Sequence, residues 1–126
     1  MNRRTSLMDD GRPIFLQIAE QIETSIIDGS LAEEAQVPST NELAAFHRIN
    51  PATAAKGVNQ LVDDGVLYKK RGIGMFVSPG AQAKLRQRRK DQFSELYLQP
   101  LLAEAAKLGI HPAELKTMID RYEEQR

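Results

Sequence analysis

Two helix-start signals 11 residues apart, Ser39-x-x-Glu42 and Asn50-Pro51, constrain this chain more than any other feature. In the first, each side chain can bond the other residue's backbone N–H, the reciprocal arrangement of a capping box. In the second, asparagine caps exposed N–H groups and proline, which has none, suits the first helical position. The spacing leaves room for one short helix, a tight turn and a second helix from Pro51 to about Asp64. Leu43, Phe46 and His47 are expected to face inward from the first helix. From the second, Ala54, Val58, Leu61 and Val62 share one side, leaving Ala52, Thr53, Lys56, Asn59, Gln60 and Asp63 towards the other. Gly65 can take the left-handed conformation that closes such a helix.

The flanking segments extend this pair into a recognisable plan. Pro13 fits the start of a helix whose apolar stripe is Ile14, Ile18, Ile22 and Ile26, ending near Gly29. SLAEEAQVPS has no helical stripe, and Pro38 disfavours helix at Val37, so this stretch reads as a loop with a short extended piece. Val66 to Lys70 and Met75 to Ser78 are short strand-like runs around Arg71-Gly72-Ile73-Gly74, a hairpin with a glycine-bearing tip. The fold class predicted is mainly α with a small β-hairpin wing: a winged helix-turn-helix over residues 11–79, then a helical tail over 80–126. In the tail, Pro100 should kink or divide a long helix, Gly109 should end it and Pro112 should open another.

Composition removes several functions at once. With no cysteine there is no disulfide, thiol nucleophile or cysteine-ligated metal, and His47 and His111 have no companions at metal-ligand spacing, so neither a metal nor a cofactor is expected. No Ser-His-Asp arrangement, phosphate loop or paired carboxylate can be argued, so an enzyme is not expected. No apolar stretch is long enough for a bilayer, and Met1 to Asp10 lacks the apolar core of a signal peptide, so the expected location is cytoplasmic, away from membranes. Seventeen basic and seventeen acidic side chains cancel, but Lys69, Lys70 and Arg71 cluster at the hairpin, and Lys84, Arg86, Arg88, Arg89 and Lys90 cluster beyond it. A local basic face survives a net charge of zero.

These parts suit double-stranded DNA. The third helix can enter a major groove, where Thr53 can hydrogen-bond, Lys56 can donate to guanine or phosphate and Ala52 can touch a thymine methyl. The first N–H groups of the second helix, at Thr40 and Asn41, can hold a phosphate with the hydroxyls of Ser39 and Thr40. Lys69, Lys70 and Arg71 would meet the adjacent backbone or minor groove. The competing reading is a winged-helix protein-interaction module, in which the same helix and wing contact a protein. The run from Lys84 to Lys90 fits a phosphate-contacting segment and a solvated helix equally well. Phe93, Leu96, Leu101, Leu108, Leu115 and Ile119 are too many apolar side chains for a two-helix tail to hide alone, and a homodimer would cover them.

The segments PIFLQI at 13–18, IIDGSL at 26–31, VPSTNELA at 37–44, INPAT at 49–53 and RGIGMFV at 71–77, in this order, resemble the GntR family of bacterial regulators, and the short tail resembles its YtrA-like branch. The resemblance implies a cytoplasmic dimeric regulator, usually a repressor, with Ser39, Asn41, Asn50, Ala52, Thr53 and Ala55 at DNA-facing positions. Arg71 and Gly72 match the wing, and the tail is too short for the roomy effector domain of longer relatives, which leaves a small-molecule effector unassigned. Asn41 stands where the wider family commonly has arginine, Pro51 and Ala55 replace frequent recognition-helix arginines, and Ala52 replaces the branch's usual asparagine. His47 and Arg48 replace a common leucine-glycine turn.

Overall fold

The computed structural model describes residues 11–126; the reading of Met1 to Asp10 as lacking a leader lies outside them. Along the chain run α1 (Ile14–Ile27), α2 (Thr40–His47), α3 (Pro51–Asp63), β1 (Leu67–Lys70), β2 (Gly74–Val77), α4 (Ala81–Phe93), a π-helical turn (Ser94–Leu98), α5 (Gln99–Lys107) and α6 (Pro112–Glu124). The chain divides into two compact units between Arg86 and Gln87. Among the described residues no helix is long and apolar enough to cross a membrane.

In the first unit the isoleucine stripe of α1 buries Ile18, Ile22 and Ile26 against Val58 and Leu61 of α3 and Leu67 and Val77 of the hairpin. Ile14, at the start of the stripe, stands 38% exposed. Pro13 caps α1 from just outside it, its carbonyl accepting from the N–H groups of Leu16 and Gln17. Gly57 lets α1 and α3 meet at backbone distance: a Cβ there would lie 2.6 Å from the Phe15 carbonyl oxygen.

Both helix-start signals act as their chemistry requires. Ser39 Oγ accepts from the Glu42 N–H at 3.0 Å while the Ser39 N–H donates to Glu42 Oε1 at 2.8 Å. Asn50 Oδ1 accepts from the Ala52 N–H at 2.7 Å. Between the two helices Arg48 is left-handed, at φ 56° and ψ 49°, and the Ile49 N–H donates back to the Ala44 carbonyl at 3.0 Å. A side chain therefore occupies a backbone state that suits glycine. Arg48→Gly should stabilise the unit by about 0.5–1 kcal/mol, after allowance for the freer unfolded chain. A thermal melt should register this as a rise of a few degrees, and a fall would show that the Arg48 side chain stabilises more than its backbone strain costs.

Phe46 corrects the expectation of an inward-facing residue: it is 79% exposed. The core side of this short helix is narrow, with only Leu43 and Ala44 buried, and Phe46, two positions beyond Ala44, projects roughly 200° away. The ring edge of His47 lies against it at 4.8 Å, and partial burial lowers the imidazole pKa below its ordinary value.

The extended piece before α2 pairs with the hairpin. Leu67 faces Val77 and Lys70 faces Gly74 across the antiparallel strands. On the free side of β2, the Glu34 N–H donates to the Val77 carbonyl, Val77 donates to Ala35, and Val37 donates to Met75. Tyr68 stacks on Phe76 and donates its hydroxyl hydrogen to Glu34, a bond that raises the phenol pKa. The first turns of α4 close the unit, with Ala81 and Leu85 each 2% exposed.

The second unit, from Gln87 onward, contains the remaining helices. Pro100 does not divide the helix. Instead the backbone widens just before it, with the Gln99 N–H reaching the Ser94 carbonyl five residues back. A proline ring would collide with an α-helical carbonyl four residues earlier, and the π turn lies at that point. Gly109 ends α5 at φ 72°, and Pro112 opens α6. Ala105 and Leu115 are the buried apolar residues of this unit, whereas Phe93, Leu96, Leu101, Leu108 and Ile119 stand between 44% and 65% exposed.

Candidate nucleic-acid interface

Pro51 and Asn50 set where α3 begins, and its periodicity decides what it presents. Ala54, Gly57, Val58 and Leu61 face the core, so Ala52, Lys56 and Asn59 fall on the opposite side. All three are exposed, and Thr53 and Ala55 are half-buried on the flanks. Exposed Asn41 lies in the first turn of α2, beside half-buried Thr40. Asn50 also stands exposed, its amide oxygen committed to capping α3.

A cleft joins three of these elements. The start of α2 contributes Ser39 and Thr40, α3 contributes Ala55 and Asn59, and the hairpin contributes Lys69 and Ile73. Strand alternation explains why Lys69 belongs here. It shares a face with Leu67, whereas Lys70 points to the other face, its ammonium 4.4 Å from the centre of the Phe76 ring. Adjacent lysines thus serve opposite sides of the wing. Arg71 and Gly72 are exposed at the hairpin tip, where Gly72 has φ 76°.

Lys56 is outside that cleft, its ammonium 4.2 Å from the centre of the Phe15 ring on α1. The contact holds a cation beside the exposed face of α3 without neutralising it. Hence Ser39, Thr40 and Ala55 are brought into one cleft, while Lys56 flanks α3 on the α1 side and Arg71 and Gly72 occupy the tip. Asn59, expected only to lie outside the core, joins the cleft as well. Its position seven residues after Ala52 is the sequence signal that points there.

The second basic run divides differently. Lys84 Nζ donates to the Asp64 carbonyl at the end of α3, and Arg86 donates through Nε and Nη2 to the Ile27 carbonyl at the end of α1, at 3.2 and 3.0 Å. Positive groups at helix carboxyl ends satisfy unpaired carbonyls and suit the helix dipole. These two cations therefore lock helices in place. Among the described residues, no group of three or more His, Cys, Asp or Glu side chains could hold a metal ion.

Comparison with known proteins is consistent with this geometry. The family described as bacterial regulatory proteins, gntR family, matches residues 15–77. The chain is 39% identical over 66 residues to the HTH-type transcriptional repressor NagR of Bacillus subtilis, covering 52% of this chain but only 27% of NagR. It is 28% identical over 107 residues to the HTH-type transcriptional repressor YtrA of the same organism, covering 85% of this chain and 82% of YtrA. A GntR-family crystal structure from Bacteroides thetaiotaomicron superposes with a TM-score of 0.69 at 33% identity, over 89% of this chain and 97% of that one. The DNA-binding domain of AraR, solved in complex with operator ORX1, superposes with a TM-score of 0.52 at 31% identity, over 53% of this chain and 81% of that one.

Proposed function

Because the chain belongs to the GntR family of bacterial regulatory proteins, we propose that it is a cytoplasmic repressor that binds an inverted-repeat operator in double-stranded DNA as a homodimer. It is a DNA-binding transcription regulator, and its family and relatives are regulators rather than enzymes. The observation that carries the reading is the cleft in which the start of α2, the outer side of α3 and Lys69 of the wing converge, on a fold shared with a domain solved on its operator.

The roles follow from position. Residues of α3 enter the major groove, with Ala52, Thr53, Ala55 and Lys56 near base edges and Asn59 extending the same side. Ser39, Thr40 and Asn41 hold a phosphate at the start of α2, and Asn50 keeps the start of α3 in the shape the groove requires. Arg71 and Gly72 bring the wing to the neighbouring backbone or minor groove. The dimer is assigned to the tail, where Phe93, Leu96, Leu101, Leu108 and Ile119 present exposed apolar surface. Leu115, expected to be covered by a second copy, is already buried within its own protomer and leaves that surface.

Gel shift on fragments selected from the source genome tests the reading. Lys56→Ala and Arg71→Ala should each weaken binding by about 5- to 100-fold while leaving the melting curve in place. A variant that has lost a phosphate contact should also show a salt dependence shallower by about one logarithmic unit. Unchanged affinity in both variants would remove α3 and the wing from the interface.

A further inference from the structure

We propose that Gln36 is a positioning residue for the wing: its side-chain amide fixes the hairpin tip that presents Arg71 and Gly72 to DNA. The proposal rests on the operator reading above.

Gln36 lies in the extended segment beside β2, directly across from Phe76. Backbone bonds from that segment support β2 only as far as Met75, whose carbonyl accepts from Val37. Beyond Met75 the hairpin is two-stranded, and within it the Ile73 N–H bonds to the Lys70 carbonyl at 2.9 Å. Such a two-stranded extension is marginal by itself. The Gln36 side chain continues the support where the backbone stops. Its Nε2 donates to the Ile73 carbonyl at 3.0 Å, a bond between residues 37 positions apart.

A second observation shows the fit from the other partner. Gly74 has φ 144°, and a Cβ built there would lie 2.6 Å from Gln36 Nε2. The space that a side chain at 74 would need is filled by the Gln36 amide. The donor and the missing side chain are thus complementary, and Gln36 is an exposed residue whose stabilising effect on the core is small. Its effect should instead appear at the tip. An untethered tip presents Arg71 correctly for only a fraction of the time, and apparent affinity falls by that fraction.

Gln36→Glu keeps the shape of the side chain, removes the donor and places a carboxylate against the Ile73 carbonyl. Amide hydrogen exchange in the full-length chain without DNA should show faster exchange at Ile73, whose N–H is held by the Lys70 carbonyl, by about two- to tenfold, with the amides of Leu61 and Val66 unchanged. Affinity for a genomic fragment selected on the wild-type chain should fall by a similar factor. In an Arg71→Ala background, Gln36→Ala, which brings no carboxylate to the DNA-facing cleft that Gln36 itself lines, should add no further loss. Gln36→Ala, which adds no charge, repeats the test should the carboxylate disturb folding, and Gly74→Ala, by displacing the amide, should reproduce the faster tip exchange. Unchanged tip exchange in both Gln36 variants overturns the tether, whatever the DNA result. Losses that add fully to that of Arg71→Ala overturn the positioning role, because Gln36 would then act independently of the tip. A wild-type chain that shifts no fragment overturns the operator reading, and with it the claim on affinity.

Discussion

Gly57→Val should destabilise the winged unit by at least about 3 kcal/mol, lowering its melting temperature by roughly 10–20 °C. A side chain normally improves on glycine in a helix by up to about 1 kcal/mol, so on propensity alone the substitution should help. The packing decides otherwise. A Cβ at this position would sit 2.6 Å from the Phe15 carbonyl oxygen and 3.3 Å from Ile18 Cβ. The first of these is backbone and cannot rotate away, so α1 and α3 would have to separate. Valine adds two methyl groups to that demand. Separation would also shift Lys56 and Asn59 relative to the start of α2, so DNA binding should fall even at temperatures where the variant remains folded. Thermal denaturation followed by circular dichroism measures the effect. An unchanged melting temperature would mean that the two helices do not cross in backbone contact.

Leu101→Asp combined with Leu108→Asp should yield monomers and lower operator affinity by about 100-fold or more, because two linked half-site contacts become one. The two positions suit the test because they are 44% and 65% exposed within the single chain. Aspartate there meets water in the isolated protomer and is buried without a partner only if a second copy covers it. The substitution therefore separates association from folding. The melting transition of the winged unit should persist, since its core of Ile18, Ile22, Val58 and Leu61 lies in the first unit. Sedimentation at micromolar concentration provides the measurement, and a variant that still sediments as a dimer would place the interface outside this surface.

Local chemistry made much of the architecture legible in advance. Ser39, Glu42, Asn50 and Pro51 declare helix starts through bonds that span two or three residues, and Ile18, Ile22 and Ile26 declare a buried face through spacing alone. What stayed hidden depends on partners distant in sequence. Nothing near Lys84 or Arg86 indicates that they end on the carbonyls of Asp64 and Ile27, and nothing near Gln36 points to Ile73. Phe46 departs from the inward-facing expectation because the core under this short helix reaches only Leu43 and Ala44. For the DNA face, helical spacing was enough to expose Ala52 and Lys56. It did not show that Lys56 turns to the Phe15 ring, while Ala55, on the other flank, joins Ser39 and Lys69.

The π turn at Ser94–Leu98 makes this stretch of helix tolerant of a change in length. A helix that widens in this way carries one residue more in that turn than α-helical spacing requires, so the extra residue is accommodated locally. In a chain without Pro100, deleting one residue there would leave later positions facing nearly as they do now, whereas the same deletion within α5 would rotate every later position by about 100°. Only the second deletion would change which side chains share a face with Phe93.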